Sequence, residues 1–149
     1  MKKNNNIALI VPLIFIDQLS KQLSLRLTQE IELGVLKIEP HLNYSSALSI
    51  YKGPTEHVTI LQIILLIIVL VFANKLRKYI NNIGLNLVLA GGISNIIDRF
   101  TIYPYQLKGG VVDMINIADK VTINLADILI TIGIVVMILN QKKTIKGNL

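Results

Sequence analysis

The stretch VTILQIILLIIVLVFA, residues 58–73, decides the fold. From Ile63 to Ala73 it carries no polar side chain. A helix needs about 20 apolar residues to cross a bilayer core of about 30 Å. The stretch is slightly short, but Glu56 and His57 before it and Asn74 and Lys75 after it suit the two interfaces. Three further segments read as spans around it. The first runs Ile7 to Leu27, interrupted by Asp17, Ser20, Lys21 and Arg26. The third runs roughly Ile83 to Phe100 and is the most polar, with Asn86, Ser94, Asn95, Asp98 and Arg99. The fourth runs Val121 to Leu139, with Asn124 and Asp127 near its start. With their flanks, the expected spans are about 7–27, 58–74, 82–100 and 121–139, in a single polytopic domain over residues 1–149.

The composition agrees. The 149 residues are 52% hydrophobic and 16% charged, with a mean hydropathy of +0.60. Typical soluble chains are about 25% charged. Disorder is excluded, and a soluble globule is disfavoured. Cysteine is absent, which removes disulfides, thiolate metal sites, cysteine nucleophiles and lipid-modified cysteines. No tryptophan and 5% aromatics argue against a surface that stacks nucleic-acid bases.

The net charge of +6 reads as an orientation signal. Lys2, Lys3, Lys75, Arg77, Lys78, Lys142, Lys143 and Lys146 fall on one side, with no acidic residue among them. On the other side Arg26, Lys37, Lys52, Arg99, Lys108 and Lys120 are offset by Glu30, Glu32, Glu39, Glu56, Asp113 and Asp119. Both termini are therefore expected in the cytoplasm, and no nucleic-acid partner is expected. The first segment reads as a retained span, because Asp17 follows its apolar run and no A-x-A-like cleavage site appears. Two outer segments remain, about 28–57 and 101–120. Ile31, Leu33 and Val35 alternate with Glu30, Glu32 and Gly34, which predicts short strands at the membrane surface. Ile38-Glu39-Pro40 is expected to break that run. The second outer segment holds a Pro104 turn and the Gly109-Gly110 pair.

Ionisable residues inside spans cost roughly 2.5–3.5 kcal/mol each, so their positions carry functional information. Asp17 and Lys21 are four apart and share a helix face as a neutralised structural pair. Gly91, Asn95 and Asp98 share one face of the third span, and Gly91-Gly92 permits close approach of a neighbouring helix. Arg99 beside Asp98 can pair with a carboxylate or a lipid phosphate. Asn124 and Asp127 share a face of the fourth span. By depth, Asp98, Asp113 and Asp127 lie near the outer boundary. Two carboxylates in one apolar site, one protonated and one ionised, can activate water and protonate a leaving group. The same carboxylates also suit a proton or ion path. Other chemistries lack their residues. There is no H-E-x-x-H, no phosphate-binding G-x-x-x-x-G-K-[ST] and no G-x-S-x-G, His41 and His57 read as surface residues, and Ser20 and Lys21 do not face each other.

Taken in order, these boxes resemble the lipoprotein signal peptidase (signal peptidase II) family. The boxes are Asp17-Gln18-Leu19-Ser20-Lys21, Asn43-Tyr44-Ser45-Ser46-Ala47-Leu48-Ser49, Ser94-Asn95-Ile96-Ile97-Asp98-Arg99, Gly109-Gly110-Val111-Val112-Asp113-Met114, and Ile123-Asn124-Leu125-Ala126-Asp127 with Gly133 six residues on. Each is weak alone; five in register, from Asp17 to Gly133, are specific. The resemblance implies a membrane all-α protein of four transmembrane helices with a small extracytoplasmic β-rich cradle, in the bacterial inner membrane. It implies an aspartic endopeptidase that cuts prolipoproteins just before the diacylglyceryl-cysteine, with no metal, cofactor or obligate protein partner. Carried over by motif, Asp113 and Asp127 are the catalytic pair. Asn43, Asn95, Asp98, Arg99 and Asn124 shape the site or contact the substrate and its lipid, and Asp17 and Lys21 are structural support. Asn116-Ile117-Ala118-Asp119 also reads N-x-A-D, but position 125, six residues on, is Leu rather than Gly, so Asp119 reads as a loop residue. Ser45, Ser46, Leu48, Ser94 and Met114 depart from the family pattern at packing and loop positions. Those departures leave a second reading, a weakly active or inactive paralogue that binds lipoproteins. A transporter would carry internal repeats and broken central helices, and neither is present.

Overall fold

The computed structural model describes residues 6–45, 54–75, 82–101 and 109–146. After a single 3-10 turn at Asn6–Leu9 come α1 (Ile10–Ser24), β1 (Ile31–Leu33), β2 (Leu36–Asn43), α2 (Thr55–Lys75), α3 (Asn82–Phe100), β3 (Val111–Ile117), β4 (Val121–Ile123) and α4 (Leu125–Lys146). Lys2, Lys3, Ser46 to Ser49, Lys52, Arg77, Lys78, Pro104 and Lys108 lie outside the described residues, as do the side chains of Lys75, Lys142, Lys143 and Lys146.

Helix α3 is central: α4 and α1 pack closely on it and α2 more lightly. The α3–α4 crossing depends on missing side chains. A Cβ on Gly84 would stand 2.7 Å from the Gly133 carbonyl oxygen, and one on Gly133 would stand 2.6 Å from that of Gly84. Gly91 in turn sits against the Ala126 backbone, so the close approach expected of Gly91 occurs at the start of α4. Gly92 meets only the mobile end of Leu66.

The polarity of the bundle is inverted. Asp17, Lys21, Ser24, Asn86, Ser94, Asn95, Asp98, Arg99, Asp113 and Asn124 are buried, whereas Val11, Phe15, Ile60, Leu65, Ile67 and Phe72 lie outside. Among the described residues one helix, through Thr55–Phe72, is by itself long and apolar enough to cross a membrane; Leu125–Asn140 is a shorter apolar helix. Helix α1 has only 15 residues, and α3 carries its amides and charges along its length.

The four strands form one antiparallel sheet in the order β1-β2-β3-β4. The alternation read from residues 30–35 becomes β1 and the Gly34 turn, where Gly34 takes a φ of +69°. Pro40 does not end the strand. β2 runs through it to Asn43, and its register against β3 shifts between Ile38 and His41. Proline lacks the N–H that a ladder needs, and a bulge is where a strand tolerates that loss. The fourth segment also differs from expectation: Val121–Ile123 is strand, and the helix starts at Leu125. Three β-branched residues are as apolar as a helix turn but favour a pleated surface.

Gly133→Ala is expected to lower stability by about 1–3 kcal/mol, because overpacking forces α3 and α4 apart. Gly92→Ala is expected to be close to neutral. Thermal unfolding of both variants in detergent checks the contrast; equal midpoints would show that the glycine crossing does not hold the bundle together.

Candidate active site

A buried ammonium organises the interior. Lys21 Nζ reaches Asp17 at 2.7 Å, Asp98 at 2.9 Å and the Asn95 side-chain oxygen at 2.9 Å. That uses all three of its donors. Two carboxylates against one ammonium leave an extra negative charge, which neutral donors offset. Asp17 accepts from the Ser94 hydroxyl at 2.7 Å and the Ala126 N–H at 2.8 Å. Asp98 accepts from Gln18 Nε2 at 2.6 Å and the Val112 N–H at 3.1 Å. The Asp17–Lys21 pair expected at i, i+4 is therefore present, but it is part of a larger cluster. Asp98 does not pair with its neighbour Arg99; it turns to Lys21. Successive helix residues point about 100° apart, so Asp98 and Arg99 face different neighbours.

Helix α4 opens with a reciprocal cap. Asn124 Oδ1 accepts from the Asp127 N–H at 2.9 Å, and Asp127 Oδ2 accepts from the Asn124 N–H at 3.3 Å. This is the capping-box logic, with Asp in the third position. Asn124 Nδ2, fully buried, then donates to Asp113 Oδ1 at 2.7 Å and to Asn95 Oδ1 at 3.1 Å. Asn95 Nδ2 donates to Asp127 Oδ1 at 3.0 Å. Asn43 Nδ2, from the end of β2, donates to Asp113 Oδ2 at 2.8 Å. All four oxygens of Asp113 and Asp127 thus accept a hydrogen bond from an amide.

Both carboxylates line a cavity of about 370 Å³ with Asn43, Asn95, Arg99 and Gln62. Burial pushes the Asp113 carboxyl up to about 6, with the Asp127 charge acting in the same direction; the bonds from Asn43 and Asn124 and the charge on Lys21 oppose it. At the outer end Arg99 donates to Gln62 Oε1 at 2.6 Å and to the carbonyls of Gly109 and Ser45 at 2.8 Å each. It therefore ties together the ends of the two segments that carry Asn43 and Asp113.

Of the residues singled out in the sequence, Asn43, Asn95, Arg99, Asp113 and Asp127 meet at the cavity. Asn124 links them, and Asp98, Asp17 and Lys21 stand behind them. Asp119 is exposed, bonds Lys37 at 3.0 Å and does not line the cavity. His41 and His57 are exposed. Gln18, Ser94 and Gln62 were not picked out as site residues. The signal for Gln62 was its isolation in an apolar run, and Ser94, a departure from the family pattern, bonds Asp17. Among the described residues no group of three His, Cys, Asp or Glu side chains is placed to hold a metal ion.

The model of the protein family described as Signal peptidase (SPase) II matches residues 9–142. The chain belongs to the signal peptidase II family. The lipoprotein signal peptidase of Streptococcus agalactiae serotype Ia is 33% identical over 152 residues, covering 91% of each chain. That of Lactococcus lactis subsp. lactis is 33% identical over 155 residues, covering 97% of this chain and 99% of its own. A solved bacterial membrane enzyme matches with a TM-score of 0.77 at 27% identity, covering 97% of this chain and 92% of its own. Signal peptidase II proteins are membrane proteases, and the helices and small antiparallel sheet described above are the form that membership takes in this chain.

Lys21→Met is expected to destabilise the protein by about 3–5 kcal/mol, because it leaves Asp17 and Asp98 buried without their cation. Thermal unfolding in detergent checks this, and a variant as stable as the wild type would show that the cluster is not needed for the fold.

Proposed function

We propose that this signal peptidase II family member is an intramembrane aspartyl endopeptidase. It removes signal peptides from diacylglyceryl-modified prolipoproteins, just before the lipidated cysteine, with Asp113 and Asp127 as its catalytic pair. One observation carries the reading: Asn124 bonds both carboxylates, and both line one cavity beneath the sheet. The relatives named lipoprotein signal peptidase supply the substrate class.

The proposed setting is the bacterial cytoplasmic membrane, with one polytopic domain of four spans and both termini cytoplasmic. Helix α1 and the apolar part of α4 are short for a simple apolar span, and α3 turns its polar groups inward, while outward residues of all three, such as Phe15, Ile97 and Ile132, are apolar. The sheet would lie at the extracytoplasmic face, and the acyl chains of the substrate would stay in lipid.

The chemistry follows from two carboxyl groups sharing one proton. The ionised carboxylate takes a proton from water. The water oxygen bonds the scissile carbonyl carbon as the carbonyl oxygen takes the proton of the other carboxyl. The resulting diol collapses: the C–N bond breaks, the nitrogen takes the proton first removed from water, and one hydroxyl returns its proton to the second carboxylate. Water is consumed and the pair is restored. Such a pair titrates as a unit. Asn43, Asn95 and Asn124 hold the carboxylates, and Arg99 holds the segments around them.

In detergent, the wild type is expected to cleave a diacylglyceryl-modified prolipoprotein before its lipidated cysteine. Asp113→Asn and Asp127→Asn are each expected to lose roughly 10²–10⁴-fold in turnover while still folding. Asp119→Asn is expected to stay active, and a dead Asp119→Asn enzyme would move the pair to the other N-x-A-D box. The pH profile of kcat/KM is expected to bend near pH 6. The Asp113 carboxyl is raised, so it is mostly protonated below that pH and ionised above it. Activity falling above the bend means that turnover needs the proton that the pair then loses, and activity rising means that turnover needs that proton gone. A profile flat from pH 5 to 7 would show that turnover does not depend on a protonation change of the pair in that range.

A further inference from the structure

We infer that Gln62 is a substrate-binding residue, whose side-chain N–H₂ donates a hydrogen bond to a carbonyl oxygen of the bound substrate. The inference rests on the reading of the site as a lipoprotein-processing cavity. Gln62 is the only polar side chain between Thr59 and Asn74, on the most apolar helix of the chain. An amide in such a place costs free energy unless its polar atoms are used.

One of its atoms is used. Arg99 Nε donates to Gln62 Oε1 at 2.6 Å. Arginine has donors and no acceptor, so this bond fixes which end of the amide is oxygen. The N–H₂ end is then forced to the other side. It has no hydrogen-bond partner among the described residues, and it is therefore not buried, because among them no buried side-chain nitrogen or oxygen lacks a partner. Gln62 is half-buried and lines the same cavity as Asp113 and Asp127. Arg99 is itself held by the Ser45 and Gly109 carbonyls, so the amide it orients is supported from two further segments. The arrangement is an oriented amide donor on the α2 wall of the cavity.

The acceptor that fits is a carbonyl oxygen. A diacylglyceryl-modified peptide offers two kinds, the esters of the lipid and the amides of the cleaved segment. Two variants separate the donor from the support of Arg99. Gln62→Glu keeps an acceptor oxygen for Arg99 but has no N–H to give. Gln62→Leu removes both and suits an apolar helix, so it keeps the test open if the Glu variant folds poorly. Each is assayed for cleavage and for direct binding, with the full-length protein in detergent. The probes are a synthetic lipopeptide with two ester-linked chains and its analogue with two ether-linked chains.

Losing one neutral hydrogen bond is expected to raise KM and Kd for the ester lipopeptide about 3- to 10-fold in both variants, with the loss falling on KM rather than kcat. If the defect disappears with the ether analogue, the acceptor is a lipid ester; if it persists, the acceptor is a peptide carbonyl. Unchanged KM and Kd in both variants, with an active wild type, would overturn the inference and leave the proposed function standing. A wild type that binds the lipopeptide without cleaving it would overturn the proposed function, and Kd alone would then decide the role of Gln62. A folded wild type that neither binds nor cleaves either probe would overturn both.

Discussion

The Lys21 ammonium is the contact on which the rest of the interior depends. It is almost fully buried, and each of its three N–H groups has an acceptor. Its acceptors come from α1 and α3, and they pass the constraint on. The Asp17 carboxylate holds the Ala126 N–H at the start of α4, one residue before Asp127. The Asp98 carboxylate holds the Val112 N–H in β3, one residue before Asp113. One cation thus sets the position of both candidate catalytic carboxylates without touching either. Remote placement of this kind is strong in a low-dielectric interior, where an unpaired charge costs several kcal/mol.

The second layer is built from amides, and the residue type matters. Asn95 and Asn124 each accept with oxygen and donate with nitrogen within one side chain. An aspartate in either position would have no hydrogen to give to Asp127 or Asp113, and a further negative charge would crowd the pair. An apolar residue would leave buried acceptors without donors. Asn124 carries a third duty, because its side-chain oxygen caps α4. The N-x-A-D box is therefore a helix start as much as a chemical motif. The second copy makes the same local bond, from the Asp119 N–H to Asn116 at 3.0 Å. No helix comes after it: Ala118 and Asp119 have φ of 53° and 56°, and the chain turns back into β4. The two copies differ in the backbone they lead into, a helix after Asn124 and a tight turn after Asn116, rather than in their own residues.

Much of this was legible in the sequence, for reasons that differ by residue. Asp17 and Lys21 stood out because charges are rare in apolar helices, and their spacing predicts a shared face. Asn95 and Asp98 stood out on one stripe of α3, and β1 on its alternation. The strand carrying Asp113 was harder to read. Val111 to Met114 are buried on both faces, so no alternation marks them. Val121–Ile123 was absorbed into the fourth span because hydropathy does not separate a short apolar strand from a helix turn. Pro40 reads as a strand breaker, and only the pairing with β3 reveals a bulge. The partner of Asp98 was legible only in three dimensions. Its sequence neighbour Arg99 points elsewhere, and the cation it meets is 77 positions away, at Lys21.

The inverted polarity of the bundle explains why these contacts act as a unit. With apolar residues outside and polar ones inside, no bulk water stands ready to replace a lost partner. Among the described residues every buried side-chain nitrogen and oxygen has a hydrogen-bond partner. Removing one leaves another exposed to the full desolvation cost, and that cost exceeds the modest net gain of making a single bond. The network is therefore stiff, because partial rearrangements are all uphill. In the proposed reaction this stiffness has a use. Asp113 and Asp127 are held by amides from β2, α3 and the start of α4, so little reorganisation is left for the protein when charge moves between water, carbonyl and carboxylate. Electrostatic preorganisation lowers a barrier in just this way. The position of the cavity meets the same constraint. Hydrolysis needs water, and an oriented carboxylate pair needs a surrounding that excludes most of it. The boundary between the sheet and the apolar helices is where this fold supplies both.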